Sequence, residues 1–323
     1  MIQTPTIFDR LVLKAAEQIP RGKITTFGEV AKALGDVRAA RAVSISVLRD
    51  VKSRGGPWHR FVASDGSLGA MAGKKRELLL SEGIPIINSR IRDLERFLVK
   101  ADEIDVPPIL LKMRLAQKKL RERVVLEDRL EEVDLAAGVD VAYGLYRGLE
   151  VGYAACVVVD SKLDRVGFKT VRMETTFPYV PTYLAFREMP FIAASTKGIQ
   201  FDLLLLDGHG IAHPERVGEA CHAGLVFGKP SIGVAKSILV GKVVDSVIMH
   251  KGEKIGYLVR KEGQSPAFVS PGHLVSLETS RSIVEKFWGR YKQPKPLVLA
   301  HEIAKKLKRG DVPPTIDLLH EGG

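Results

Sequence analysis

Only two cysteines occur in 323 residues, Cys156 and Cys221, and they show no Cys-x-x-Cys spacing. That excludes a disulfide framework and a cysteine-built zinc site. Long apolar runs are also missing. No uncharged stretch reaches the roughly 20 residues a membrane-crossing helix needs. The first two dozen residues lack the apolar run and cleavage site of a signal peptide. The expectation is a cytoplasmic protein with no membrane partner. There is no internal repeat and no low-complexity tract. Acidic residues are outnumbered, 38 against 49 lysines and arginines, for a net charge of +11. Such an excess favours a polyanionic partner, because basic side chains laid on phosphates release counterions. Residues 1–90 carry 15 basic and 8 acidic side chains, so much of the excess lies in the first third. Charge alone separates nucleic-acid binding from simple solubility only weakly. Hydrophobic residues make up 45%, enough for packed cores, and the length suggests two domains.

The first segment reads as helix, turn, helix. Residues 7–18 have helical apolar spacing and end at Ile19-Pro-Arg-Gly22. Thr26 followed by Glu29 is a capping-box pattern. Residues 38–48 make a further short helix, and Gly35-Asp36 separates the two. The outline is that of a DNA-reading helix-turn-helix. A compact unit closes near Gly83-Ile-Pro85, giving domains at 1–87 and 105–323 with 88–104 as a connector. In the second domain 109–130 reads as a helix. Strands are expected from Val139, over 150–159, 166–174, 202–207 and 231–234, with helices over 182–197 and 214–227. Strands alternating with helices, with continuous apolar strands, predict an α/β domain with a mixed sheet.

Three acidic residues stand out by placement. Asp140 lies within an apolar strand. Asp207 ends the strand Asp202-Leu-Leu-Leu-Leu-Asp207 and precedes Gly208-His209-Gly210. Glu188 lies in the helix between them. A strand carboxylate is costly unless paired or bound to a metal. Taken singly, each reads as a turn cap or a satisfied structural group. Taken together, two carboxylates on neighbouring strands and one from a helix can converge on one hard cation, as magnesium requires.

Several motifs then occur in order: Gly138-Val-Asp-Val-Ala-Tyr143, Phe177-Pro-Tyr-Val-Pro181 with Tyr183-Leu-Ala-Phe-Arg-Glu188, Leu205-Leu-Asp-Gly-His-Gly-Ile-Ala-His-Pro214 and Ile232-Gly-Val-Ala-Lys-Ser237. Over about 105–319 the chain resembles endonuclease V. The resemblance implies a ribonuclease H-like mixed sheet flanked by helices. It also implies cleavage at the second phosphodiester bond on the 3′ side of inosine. By position it implies Asp140, Glu188 and Asp207 as ligands of Mg2+, with Mn2+ as the alternative. Lys236 falls near the scissile phosphate. His273, in Ser-Pro-Gly-His-Leu, matches a catalytic histidine near the metal that assists the water or the leaving group, with Leu274 where many relatives have arginine. His213 matches a histidine of the loop after Asp207, a turn-stabilising role being its alternative. Gly208 and His209 belong to that loop, whose backbone can read a flipped base. Pro178-Tyr179-Val180-Pro181 matches a strand-separating wedge: two prolines stiffen the loop, and an aromatic between them can stack into an emptied base site.

A second resemblance covers residues 17–83. Ile19-Pro-Arg-Gly-Lys23, Thr26-Phe-Gly-Glu29, Ala39-Ala-Arg-Ala-Val43, Pro57-Trp-His-Arg60 and Ser64-Asp-Gly-Ser-Leu-Gly69 are similar to O6-alkylguanine-DNA alkyltransferases. Their Pro-Cys-His-Arg motif supplies the acceptor thiol; here Trp58 stands at the cysteine position. An indole cannot accept the alkyl group, so the domain resembles the alkyltransferase-like proteins, which bind alkylated guanine without repairing it. The resemblance implies that Arg41 fills the stack left by a flipped base, from a helix with small neighbours. It also implies that Phe27 replaces a tyrosine, that Trp58 walls the lesion pocket beside Arg60, and that Gly69–Gly73 forms a loop over it. The partners implied are DNA carrying deoxyinosine or O6-alkylguanine, RNA in the alternative, and other repair proteins if the chain only marks damage.

Overall fold

The computed structural model describes residues 5–319 apart from 70, 131 and 148. They form two compact units. One is the chain up to Leu115 together with Thr176–Tyr183; the other is Ala116–Thr175 with the chain from Leu184 onward.

In the first unit, α1 (Ile7–Glu17) opens on a full capping box: the Thr6 hydroxyl accepts the Asp9 N–H at 3.2 Å, and the Asp9 carboxylate accepts the Thr6 N–H at 3.0 Å. The short β1 (Thr25–Thr26) leads into α2 (Phe27–Ala33), where Thr26 accepts the Glu29 N–H at 3.0 Å. Only this half of the expected box forms. The Glu29 carboxylate instead accepts the Ala101 N–H at 2.9 Å and pairs with Lys32. Asp36 caps a 3-10 turn, Val37–Ala39, that feeds α3 (Ala40–Ser46). The helix expected over 38–48 is therefore broken, and a π turn, Val47–Val51, follows. Then come β2 (Phe61–Val62), parallel to β1, α4 (Ala72–Ser81), the hairpin β3 (Ile86–Ile87) and β4 (Arg90–Ile91), and α5 (Leu94–Phe97).

Residues 88–104, read from sequence as a connector, are built into this unit. Ile24 donates to the Phe97 carbonyl at 2.9 Å and accepts from Val99 at 2.7 Å. Ile91, Val99 and Ile104 are buried, Ile91 in the cluster of Ile24, Val62, Leu79 and Ile84. Leaving those side chains in water would forfeit roughly 1.5–3 kcal/mol each, which is why a charged stretch packs. After Pro107-Pro108, α6 (Ile109–Arg121) ends with Lys118, Lys119 and Arg121 in its last turn, nine residues short of the expected 130.

The second unit holds one mixed sheet. β5 (Leu135–Tyr146), β6 (Leu149–Asp160) and β7 (Arg165–Glu174) form an antiparallel meander. α7 (Leu184–Thr196) precedes β8 (Leu203–Leu206), which runs parallel to β5, and α8 (Glu219–Phe227) precedes β9 (Ser231–Ala235), parallel to β8. β10 (Lys242–Val244), β11 (Val247–His250), β12 (Glu253–Val259) and β13 (Ala267–His273) extend the β9 edge, all antiparallel. The helices α9 (Leu277–Trp288) and α10 (Lys295–Arg309) follow, and β14 (Ile316–Asp317) closes the other edge beside β7. Ala155 and Val157 pack on Ala300 and Ala304 of α10, while Ala137, Val139 and Cys156 pack against Ile192 of α7 and Ala220 and Ala223 of α8. Covered on both faces, the central strands need continuous rather than alternating apolar runs, as the sequence has. Gly138 is required by close approach: a Cβ there would meet the Pro296 carbonyl carbon at 2.4 Å. The mixed sheet flanked by helices is the expected fold. Among the described residues no helix is long and apolar enough to cross a membrane.

Candidate nuclease site

Strand register builds the centre of the site. β5 pairs with β8 so that Val139 stands opposite Leu206, which sets Asp140 beside Asp207 where β8 ends. Lys236 follows β9, the strand on the other side of β8, and its ammonium pairs with the Asp207 carboxylate. Glu188 comes from α7, and its Oε1 accepts from the Tyr143 hydroxyl of β5 at 3.1 Å. The sequence-predicted Asp140, Asp207 and Lys236 thus share one neighbourhood, and Glu188 is close enough to be affected by the charge of Asp140.

Two residues of the site escaped the sequence reading. His301 of α10 places Nδ1 at 3.0 Å from Asp140 Oδ2. Glu219, the first residue of α8, is buried, shares a hydrogen bond with Glu188, and leaves Oε2 with no partner. Gly208 makes room for it, since a Cβ on Gly208 would stand 2.3 Å from that oxygen. His301 reads from sequence as an exposed residue on an amphipathic helix, and Glu219 as an ordinary acid in a first turn. Neither carries a local signal.

The electrostatics follow from crowding buried carboxylates. Burial, then the charge of Asp207, raises Asp140, against the opposing hydrogen bond from His301. Burial raises Glu188 to about 7 despite hydrogen bonds from Glu219 and Tyr143. Burial and the charges of Glu188, Asp207 and Asp140 push Glu219 well above the carboxylate range, so it is the protonated partner and donates to Glu188. Excess negative charge, hard oxygen donors and a buried oxygen without a partner fit a divalent cation. In this arrangement, no group of three or more His, Cys, Asp or Glu side chains is already placed to hold an ion among the described residues. Each carboxylate is engaged by its own partner, Asp207 by Lys236, Asp140 by His301 and Glu188 by Glu219.

The structure does not bring His273 to the carboxylates. It stands opposite Ser231, at the start of β9, whereas Lys236 follows the end of that strand. Five residues of strand separate the two, roughly 16 Å. His273 is buried and its Nδ1 accepts the Val125 N–H at 3.2 Å, a structural role. His213 is buried, and its Nδ1 accepts the Glu215 N–H at 3.2 Å, which holds the turn. The His209 ring contacts the Ser237 carbonyl at 3.0 Å, tying the loop after β8 to the loop after β9. Within the first unit, Tyr179 is 58% exposed while Val180 beside it is 1% exposed, so the Pro178–Pro181 loop presents its aromatic outward.

In the same unit, Arg41 is exposed on α3, with Ala39 and Ala42 buried beneath it. Trp58 is 7% exposed, with the Lys52 ammonium 5.4 Å from its ring centroid. Phe27 stacks on Phe61 at 6.2 Å. Arg60 does not face outward: it clasps Glu82 at 2.7 and 3.0 Å and donates to the Ile19 carbonyl at 2.7 Å. Of the loop at 69–73, Ala70 lies outside the described residues, and α4 already begins at Ala72.

The mixed sheet with its flanking helices is the fold of endonuclease V structures, and comparison with known proteins gives the family. Residues 118–302 match the family model Endonuclease V, so the chain belongs to the endonuclease V family. Residues 7–84 match the model 6-O-methylguanine DNA methyltransferase, DNA binding domain. A "Bifunctional methyltransferase/endonuclease" of Picrophilus torridus is 36% identical over 299 residues, covering 91% of this chain and 95% of that protein. An endonuclease V crystal structure from Streptomyces avermitilis is similar with a TM-score of 0.58 and 33% identity, covering 62% of this chain and 94% of that one. Endonuclease V of Ciona intestinalis, solved with DNA containing an inosine followed by a ribo-adenosine, is similar with a TM-score of 0.56 and 26% identity, covering 63% and 99%. The chain is therefore a fusion: a DNA repair nuclease acting on phosphodiester bonds, preceded by an alkyltransferase-type DNA-binding domain.

Proposed function

We propose that this chain cuts DNA at the second phosphodiester bond 3′ to deoxyinosine in a reaction dependent on a divalent cation, magnesium first. We further propose that its first unit binds O6-alkylguanine without repairing it. The observation that carries the nuclease reading is the pairing of Asp140 and Asp207 on adjoining strands, one held by His301 and the other by Lys236. Asp140, Glu188 and Asp207 would hold the cation. A divalent ion bound there supplies Lewis acidity and a water of lowered pKa. The chain's own residues do the rest. Ionised Asp140 fixes the proton on His301 Nδ1, which leaves Nε2 as the base that takes a proton from the attacking water. The Lys236 ammonium offsets negative charge on the phosphate. No thiol acceptor exists in residues 1–115, and Cys156 and Cys221 are fully buried with thiols pushed up to about 12 by burial, so alkyl transfer has no nucleophile.

A second reading, inosine in RNA, is favoured by one observation: the Ciona relative was solved on a strand with a ribonucleotide after its inosine. The test uses labelled strands carrying deoxyinosine, inosine in RNA or O6-methylguanine, with and without magnesium. Magnesium-dependent cleavage at deoxyinosine that is lost in Asp140→Ala is the expected result. Faster cleavage of the RNA strand selects the second reading, and no cleavage of any strand overturns both.

A further inference from the structure

The loop read as a strand-separating wedge has anchors that the nuclease motif does not explain. Thr176–Tyr183 belongs to the same compact unit as residues up to Leu115. Every third residue of it points inward. The Phe177 ring meets the Phe8 ring of α1 edge-on at 6.1 Å, Val180 is 1% exposed and Tyr183 is fully buried. Tyr183 is the most specific of the three. Its hydroxyl donates to Asp36 Oδ2 at 2.7 Å, with the Leu110 carbonyl as a second acceptor at 3.2 Å. Two arginines close on the same carboxylate: Arg38, whose Nε lies 3.0 Å from both oxygens, and Arg114 at 2.7 Å. The Arg38 guanidinium also stands 5.7 Å from the centroid of the Tyr183 ring. Asp36 is buried, yet Arg38 and the Tyr183 hydroxyl outweigh burial and hold its pKa at about 2. The carboxylate is therefore a permanent anion around which the cluster is built.

Two further facts give the cluster a purpose beyond packing. Thr182, just before Tyr183, sits at φ 72, a left-handed conformation that a β-branched residue adopts only when its surroundings impose it. Asp36 also caps the turn that starts α3, the helix bearing Arg41. One carboxylate thus anchors the loop and begins the helix expected to enter the groove.

We propose that Tyr183 and Asp36 are positioning residues for duplex opening: the DNA-binding unit holds the Pro178–Pro181 loop in the shape that presents Tyr179. The inference rests on the proposed inosine-cleaving function for its readout. With anchors at 177, 180 and 183, the turns between them push Tyr179 and Pro181 outward, and both are exposed. Releasing one anchor lets the strained Thr182 turn relax, and Tyr179 then has to be ordered again each time DNA is bound.

The experiment uses the full chain and the variants Tyr183→Phe, which removes one oxygen and keeps the ring, Asp36→Asn and Tyr179→Ala. Each is assayed with magnesium on deoxyinosine in a single strand and in a duplex. Each is also bound without metal to a duplex carrying 2-aminopurine beside the deoxyinosine, whose fluorescence rises on unstacking. Tyr183→Phe is expected to keep single-strand kcat/KM within about twofold and to lose about tenfold on the duplex, the size of one hydrogen bond to a charged acceptor. Its 2-aminopurine signal should fall toward that of Tyr179→Ala. Equal losses on both strands, or an unchanged duplex rate and signal, overturn the inference. A wild-type chain that unstacks the duplex but cleaves neither strand overturns the proposed function and leaves the fluorescence to decide this one. A wild-type chain that does neither overturns both.

Discussion

His301 Nδ1 stands 3.0 Å from Asp140 Oδ2, so a helix near the end of the chain completes a site begun on the first strand of the sheet. This histidine, and not His273, is the one in contact with the carboxylates. We expect His301→Ala to lower kcat on deoxyinosine strands by roughly 100-fold or more, the loss typical of a missing general acid or base. His273→Ala should keep kcat near wild type and lower Tm, because it removes the acceptor of the Val125 N–H. Single-turnover cleavage and thermal melts of both variants check this. The reverse pattern would return the catalytic role to His273.

The Glu188–Glu219 pair makes the metal-free protein sensitive to pH. Glu188 is raised to about 7 from an ordinary 4.5, and Glu219 is raised further. For an acid raised on folding, the stabilising form is the protonated one. Its contribution is complete below pH 4.5 and fades as pH climbs through 7. We expect Tm without metal to fall between pH 5 and 8, by on the order of 2 kcal/mol in stability. Magnesium at pH 8 should restore it, because a cation takes the place of the lost proton. Glu219→Leu should flatten the profile. A Tm independent of pH over that range in the metal-free wild type argues against the shared proton.

Asp140 and Asp207 were legible in the sequence because one interrupts an apolar strand and the other ends one, whereas Glu188, on α7, stood out only through its order between them and the motif around it. The histidine was not. His273 lies in a motif of the right kind, but the antiparallel pairing of β13 with β9 turns it to the far end of the strand from Lys236, and pairing direction is not written in a local pattern. His301 and Glu219 sit on helices, where the approach of one side chain to a distant strand depends on how the helix packs. In the first unit, the helix start at Thr26 was legible from its capping residue, while the first helix was legible from its apolar spacing and not from the Thr6 cap that the structure shows. The built-in connector was not, because its apolar positions, Ile91, Val99 and Ile104, are too widely spaced to show a period.

Arg60 and Arg41 carry the same charge and are expected to fail differently. Arg60 is held by Glu82 and the Ile19 carbonyl, and both partners lie in the fold. Arg60→Ala leaves the Glu82 carboxylate, whose side chain is 8% exposed, with only His59 and the Gly22 N–H, at a cost of about 2 kcal/mol. Its Tm should drop, with DNA binding weakened only through loss of folded protein. Arg41 is exposed on α3 and, among the described residues, makes no hydrogen bond or ion pair. Arg41→Ala should leave Tm unchanged and cut the preference for O6-methylguanine duplex over undamaged duplex by about tenfold, since an emptied stack would go unfilled. Competition binding at fixed salt, run beside thermal melts, separates the two. If Arg41→Ala keeps full preference for the lesion, the first unit does not read it from α3, and the small residues Ala39 and Ala42 are there only to pack.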